Sequence, residues 1–324
     1  MVNPINQQAW GGRIDDEELV FSPRWHQLIQ FVDLQDLNDT LVDKIVFVGF
    51  CSDQGVVRNK GRPGAKNGPE VIRQAMANLA VVNAFEAYDL GDVINENQLE
   101  HAQAELSTML TDLIVLNAKP VVLGGGHEVG FASFKGAFDA LMKSQHEFTL
   151  GVINFDAHLD CRKYGSEASS GTPFTQAALL SESFEKTFHY AVVGFNPTAN
   201  TQGGVAFAKK RNTVIIDDVS SNLQNIEKIQ STLRDYLKPL SHVYLSLCLD
   251  VFHQSVAPGV SAPQAVGISP EFVITLLRWI IKFCKENNKL IVVFDIAEMN
   301  PLYDKEMITA KLAARLVHEY LNGS

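Results

Sequence analysis

Cysteine is scarce in this chain, and basic residues are outnumbered. The four cysteines, Cys51, Cys161, Cys248 and Cys284, lie far apart with no C-x-x-C spacing, which excludes a cysteine-built zinc module or a dithiol redox pair and leaves free thiols. Lys and Arg number 27 against 37 Asp and Glu, for a formal net charge of −10. Such a chain repels phosphate backbones, so no nucleic acid is expected as a partner. No apolar run approaches the roughly 20 residues that span a bilayer, and the amino terminus, MVNPINQQAWGGRIDDEE, has no basic segment followed by an apolar one. No membrane association and a cytoplasmic location are the expectation. Repeats, low-complexity tracts and Pro/Gly-rich linkers are missing too, so residues 1–324 are read as one domain with 1–43 as its lead-in.

What is present is core. Hydrophobic residues make up 46% and charged residues 20% of the chain, the composition of a globular protein. From about residue 44, β-rich runs alternate with helical patterns. Eight strands are expected, at 44–50, 84–90, 119–125, 150–156, 189–195, 212–217, 242–250 and 290–296. Helices are expected at 69–80, 98–117, 128–144, 222–238, 270–287 and 304–322, several with apolar residues three and four apart. This alternation predicts an α/β fold: a mostly parallel sheet covered by helices on both faces.

Chemistry-bearing residues gather where these strands end. Asp156, His158 and Asp160 in NFDAHLD are spaced two apart after the apolar run 150–153; an extended chain sends alternate side chains to one face, so all three point the same way. That is a cation site in outline. GGGHE (124–128) follows VVL, LD ends VYLSLCLD, and DIAE ends LIVVF. Four strands therefore deliver acids and histidines to one rim, the side on which such sheets bind ligands. GGGHEVG is not a zinc-protease motif, because Phe131 stands where the second His of H-E-x-x-H belongs. It also lacks the spacing of a phosphate loop.

Together, GGGHE, DAHLD, SLCLD (246–250) and AEMNP (297–301) resemble the ureohydrolase family of arginases, agmatinases and formimidoylglutamases, from about Val46 to the final helix. GVVRNKGRPGAKNGPEVIR (55–73), SSGTPF (169–174) and APGVSAP (257–263) are most similar to the formimidoylglutamase branch. The resemblance implies a three-layer αβα sandwich around an eight-stranded parallel sheet, a small-molecule substrate, a homo-oligomer, and two Mn²⁺ per subunit that activate water against an amidino or guanidino carbon–nitrogen bond. By position it implies that His127, Asp156 and Asp160 hold one metal and Asp156, His158 and Asp250 the other. Oxygen and imidazole ligands suit Mn²⁺.

At Cys248 the family has a bridging Asp. Two readings stay open: a thiolate that ligates, or a small buried residue in a strand. His253, three residues past Asp250, is either a substitute ligand or a bystander. Glu298 matches the acid that faces the planar nitrogen group of the substrate, a job for which two carboxylate oxygens are suited, with Asp295 in support. Asp156, Asp250 and Glu298 are the expected catalytic residues. The proton-relaying histidine of arginases is absent between His158 and His189; SSGTPF stands there, offering Ser170 and Thr172 to a polar substrate. Arg58, Asn59 and Arg62 suit the carboxylates of a glutamate-like substrate, or else anchor their own loop. The expected reaction is hydrolysis of N-formimidoyl-L-glutamate to L-glutamate and formamide, in histidine degradation. The rivals are another amidino or guanidino hydrolase, and a metal-poor homologue that acts as a binding or assembly protein.

Overall fold

Runs such as Ile45–Phe50, Leu150–Phe155 and His242–Cys248 are buried at every residue, a pattern that fits only a sheet covered on both faces. The computed structural model describes residues 2–3, 7–15, 22–34, 37–95, 98–145 and 147–323; the remainder of the 1–43 lead-in lies outside the described residues. In chain order the elements are β1 (Val2–Asn3), β2 (Ile29–Phe31), β3 (Ile45–Cys51), α1 (Gln54–Arg58), α2 (Gly68–Ala77), β4 (Ala87–Ile94), α3 (Leu99–Val115), β5 (Lys119–Gly124), α4 (Val129–Ser144), β6 (Leu150–Phe155), α5 (Pro173–Ser183), β7 (His189–Phe195), α6 (Gln202–Lys210), β8 (Val214–Asp217), α7 (Ile226–Leu237), β9 (His242–Cys248), α8 (Pro270–Glu286), β10 (Leu290–Ala297) and α9 (Ile308–Gly323).

The eight expected strands form β3 to β10, all paired in parallel in the order β4-β3-β5-β10-β9-β6-β7-β8. Two short strands of the lead-in extend this count. They share the outer edge of β4, β2 running parallel beside Ala87–Asp89 and β1 antiparallel beside Asp92–Val93. A free edge would expose unpaired backbone groups, and the lead-in covers it.

Helices α2, α7, α8 and α9 pack one face, where Ile72, Leu233, Leu276 and Leu316 join a single apolar cluster. The opposite face carries α3 to α6 over Leu106, Phe134, Phe174 and Ala208. Local chemistry sets the helix ends. Ser269 accepts from Phe272 N at the start of α8, with Pro270 in its first turn. Asn117, Asn212 and Asn288 follow α3, α6 and α8 at φ of 59, 55 and 52°, the left-handed cap that asparagine tolerates. The last helix starts at Ile308 rather than 304, because Glu306 and Met307 hold φ of 55 and 57° and break the helical path.

Under the α2 face lies a buried charge cluster. Arg73 donates to both oxygens of Asp89 (2.6 and 2.9 Å) and to Asp92 (2.6 Å), while Trp10 Nε1 donates to Asp89 at 2.7 Å. Asp89 is fully buried and Arg73 nearly so. Arg73→Met would strand the Asp89 charge, and we expect unfolding free energy to drop by about 3–5 kcal/mol, read from urea denaturation midpoints.

Candidate metal centre

Strands β5, β10, β9 and β6 are consecutive in the sheet, so the residues just past their carboxyl ends share one crevice. The GGGHE turn can lie low over it because its glycines have no side chain: a Cβ on Gly125 would sit 1.9 Å from the Ser52 carbonyl oxygen. Gly126 N bonds that same oxygen at 2.8 Å. The tight turn drops His127 to the crevice floor, where it is 1% exposed.

Asp156 is the hub. Its Oδ2 lies 2.9 Å from His127 Nδ1 and its Oδ1 3.4 Å from His158 Nδ1. Asn154 Nδ2 donates to Oδ2 at 3.0 Å, and the His158 backbone N–H donates to Oδ1 at 2.7 Å. His127 Nδ1 is also 2.9 Å from Asp160 Oδ2, and His158 Nδ1 is 3.1 Å from Asp250 Oδ2. Donor atoms of His127, Asp156 and Cys248 lie within 4.8 Å of one another, as do those of Asp156, His158 and Asp250. Cys248 is buried beside them. Two donor sets therefore meet at Asp156.

The other imidazole nitrogen of His127 is tethered. Nε2 is 3.0 Å from Ser246 Oγ, which donates to Asp295 Oδ1 at 2.7 Å, while Tyr244 donates to Asp295 Oδ2 at 2.5 Å. This chain fixes the ring orientation, as second partners of ligating histidines do. Asp295 thus supports His127 rather than Glu298, as the sequence had suggested. Glu298 takes φ of 71°, a strained conformation for a non-glycine residue. Its Oε1 accepts from His127 N at 2.9 Å, and its Oε2 is buried without a hydrogen-bond partner among the described residues.

Charge in the crevice is unbalanced, with four carboxyls facing two imidazoles. Burial works against both charged imidazoles, yet their carboxylate neighbours hold His127 and His158 well above their usual range. Burial also opposes Asp156, but the two histidines keep it well below the carboxylate range. The remaining acids pay for that arrangement: burial, then Asp156, push Asp160 up to about 6, and burial, then Asp250 and Glu128, push Glu298 up to about 8. Burial and the surrounding carboxylates push the Cys248 thiol well up.

Among the described residues, Asp250 Oδ1 and Glu298 Oε2 are buried without a hydrogen-bond partner, and His127 Nδ1 faces two carboxylate oxygens at 2.9 Å without an aligned hydrogen bond to either. Orphaned donors and excess negative charge together make a set that fits divalent cations.

A cleft of about 290 Å³ opens above, lined by Asn59, Arg62, Ser170, His127, His158, Asp160, Cys248, Asp250 and Glu298 among others. The remaining sequence candidates go elsewhere. Arg58 pairs with Glu100 at 2.6 Å and donates to Ala168 O, outside the cleft lining. The Thr172 hydroxyl is engaged by Ser169 and Gln176 at the start of α5. Arg62 borders the cleft, but its guanidinium donates to the Ser261 and Val260 carbonyls and stacks on Tyr303. Asn59 donates to Ser170 Oγ at 3.1 Å. His253 turns to Ser255 and joins neither donor cluster. Sequence reasoning missed Ser246 and Tyr244, which alternate toward one face of β9, and Arg162 and Lys60, both on the cleft wall.

The Arginase family model matches residues 43–322. The formimidoylglutamase of Aliivibrio fischeri is 37% identical across 98% of this chain and 95% of its own length. That of Legionella pneumophila is 38% identical across 98% and 97%. Among solved structures, Trypanosoma cruzi formiminoglutamase with Mn²⁺ superposes with a TM-score of 0.76 at 26% identity, covering 93% of this chain and 98% of that one. Bacillus subtilis formimidoylglutamase reaches a TM-score of 0.81 at 24% identity, covering 97% and 94%, a likeness of fold.

Stripped of divalent cations, the protein should lose stability as pH rises. A carboxyl raised in the folded state holds its proton more tightly than in the unfolded chain, so Glu298 favours folding at low pH, and that contribution disappears between 4.5 and about 8. The raised His127 and His158 act in the same sense. Urea midpoints measured across that window in chelator should fall, and Glu298→Gln should flatten the slope; a midpoint that rises would contradict the assignment.

Proposed function

This chain belongs to the arginase family, and on that premise we propose that it hydrolyses N-formimidoyl-L-glutamate to L-glutamate and formamide, a step of histidine degradation. The observation that carries this reading is the similarity to formimidoylglutamases at 37–38% identity along 98% of the chain. The whole chain acts as one arginase-like catalytic domain, forms a homo-oligomer and works in the cytoplasm.

His127, Asp156 and Asp160 would hold one divalent cation and Asp156, His158 and Asp250 the other, with Cys248 offering its sulfur beside His127 and Asp156. Mn²⁺ suits the oxygen and imidazole majority. Two such cations supply Lewis acidity, acidifying water and stabilising negative charge as it develops on the substrate. Asp156 orients both histidines, and the Ser246–Asp295–Tyr244 chain keeps the His127 ring from turning away. Glu298 Oε2, unpartnered among the described residues and aimed into the cleft, accepts an amidine N–H and holds the planar group in place. Asp250, with its Oδ1 unpartnered, takes up the proton released by water and returns it to the departing glutamate nitrogen. The bond that breaks joins the amidine carbon to that nitrogen, so formamide and glutamate leave; breaking the other carbon–nitrogen bond would release ammonia instead.

The purified protein supplied with Mn²⁺ should release formamide from formimidoylglutamate and no urea from agmatine. Binding under one equivalent of metal together with no turnover would retire the enzyme reading in favour of a metal-poor homologue. Glu298→Gln removes a charge-assisted contact worth about 1.5–3 kcal/mol, so kcat/KM should fall roughly 10- to 100-fold. Cys248→Asp should tighten Mn²⁺ binding, measured by titration calorimetry, and raise turnover; unchanged metal affinity would place the sulfur outside the ligand set.

A further inference from the structure

Two of the basic side chains near the cleft are already committed. Arg58 is paired with Glu100, and Arg62 is spent on two carbonyls and a tyrosine ring. Two cations on the cleft wall are not: Arg162 and Lys60 are exposed there, and neither side chain makes a hydrogen bond or ion pair among the described residues. Arg162 sits two residues past Asp160, and its backbone N–H bonds Gly171 O at 2.8 Å. Its side chain lies across Gly171: a Cβ there would fall 2.6 Å from Arg162 Cδ and 3.1 Å from Asn59 Nδ2. The absence of a side chain at 171 therefore brings the guanidinium stem beside the Asn59 amide. That amide is itself held by Ser170 Oγ. Lys60 enters from the facing loop, its backbone turned by φ of 64°.

The crevice is thus polarised, with carboxylates on the floor and uncommitted cations on the wall. We propose that Arg162, aided by the Asn59 amide and by Lys60, forms the subsite for the carboxylates of the substrate and sets specificity for amidines with an acidic tail. The proposal deepens the function proposed above and rests on it. A guanidinium with no protein partner has its fork of donors free for a bidentate carboxylate. A substrate with a cationic tail, such as agmatine, would instead bring its ammonium group against two positive charges, and that repulsion rejects it. Arg58 and Arg62 cannot take this role without giving up the contacts that close their own loop.

The test compares the Mn²⁺-loaded full chain with Arg162→Met, Lys60→Met and Gly171→Ala. Arg162→Met should raise KM for formimidoylglutamate about 10- to 100-fold, the range expected for a charged hydrogen-bonded contact, with kcat little changed. KM for N-butylformamidine, which keeps the amidine and lacks carboxylates, should not move. Lys60→Met should act in the same direction with a smaller effect, and Gly171→Ala, which displaces the Arg162 stem, should reproduce the Arg162→Met result. An unchanged KM for formimidoylglutamate in Arg162→Met, or an equal rise for both substrates, would overturn the subsite. Should the wild-type protein fail to turn over formimidoylglutamate, the functional reading falls by itself. The subsite is then judged by calorimetric binding of L-glutamate: tenfold weakening in Arg162→Met upholds it, while unchanged binding, or none to the wild type, overturns it.

Discussion

The site depends on one shared carboxylate. Asp156 divides its two oxygens between His127 and His158, and so joins two groups of donors that would otherwise be separate. It is fully buried, and a buried carboxylate is costly unless charge and hydrogen bonds surround it. Asn154 and the His158 backbone supply the hydrogen bonds. The two histidines supply the charge, and in doing so they leave too little for Asp160, Asp250 and Glu298, all of which are raised. A divalent cation resolves that shortage at its source. The same electrostatic deficit that would weaken the metal-free fold at neutral pH would favour a bound divalent cation.

Precision around Asp156 comes from the sheet, and recognition comes from loops. His127, Asp156, Asp250 and Glu298 sit within three residues of the ends of four neighbouring strands, where backbone pairing permits little drift. Much of the cleft wall is built from segments after β3 and β6, stitched to one another by Asn59 to Ser170 and by Arg58 to Ala168, with Glu100 of α3 bonding both Arg58 and the Ala168 N–H. Binding residues on loops held by a rigid scaffold are a general arrangement. In the proposed site it separates two tasks: the strand ends would place the chemistry, while the stitched loops would present the groups that distinguish one substrate tail from another.

Much of this was legible in the chain. Most of the eight strands announced themselves as apolar runs, because strands covered on both faces leave no room for polar alternation; β4, which carries Asp89 and Asp92, runs Ala87–Ile94 rather than 84–90. DAHLD supplied the candidate ligands, but β6 ends at Phe155, the chain bends at Ala157–His158 and Asp160 takes φ of 46°, so a turn rather than extended alternation brings them together. Other parts left weaker traces. Strands β1 and β2 are two and three residues long and owe their existence to the edge of β4, a partner remote in sequence. Helix α6 begins with a Gly pair, which masks its periodicity, and α5 follows a motif that reads as a loop up to Pro173. Arg58 and Arg162 illustrate the limit most clearly. Both are arginines beside promising motifs, and only the fold reveals that Glu100 has claimed one and left the other open.

Cys248 marks where folding and metal binding pull against each other. An aspartate there would add a fifth carboxyl to a crevice whose acids already exceed its cations, and each buried charge without a partner destabilises the metal-free chain. The thiol avoids this cost, since burial and its acidic neighbours keep it protonated and uncharged. Sulfur is a poorer partner than oxygen for Mn²⁺, and a thiol must lose its proton before it can ligate. The substitution therefore eases folding without metal and gives up part of the affinity once metal arrives. Its burial at 1% exposure, within reach of His127 and Asp156, keeps the residue inside that balance rather than beside it.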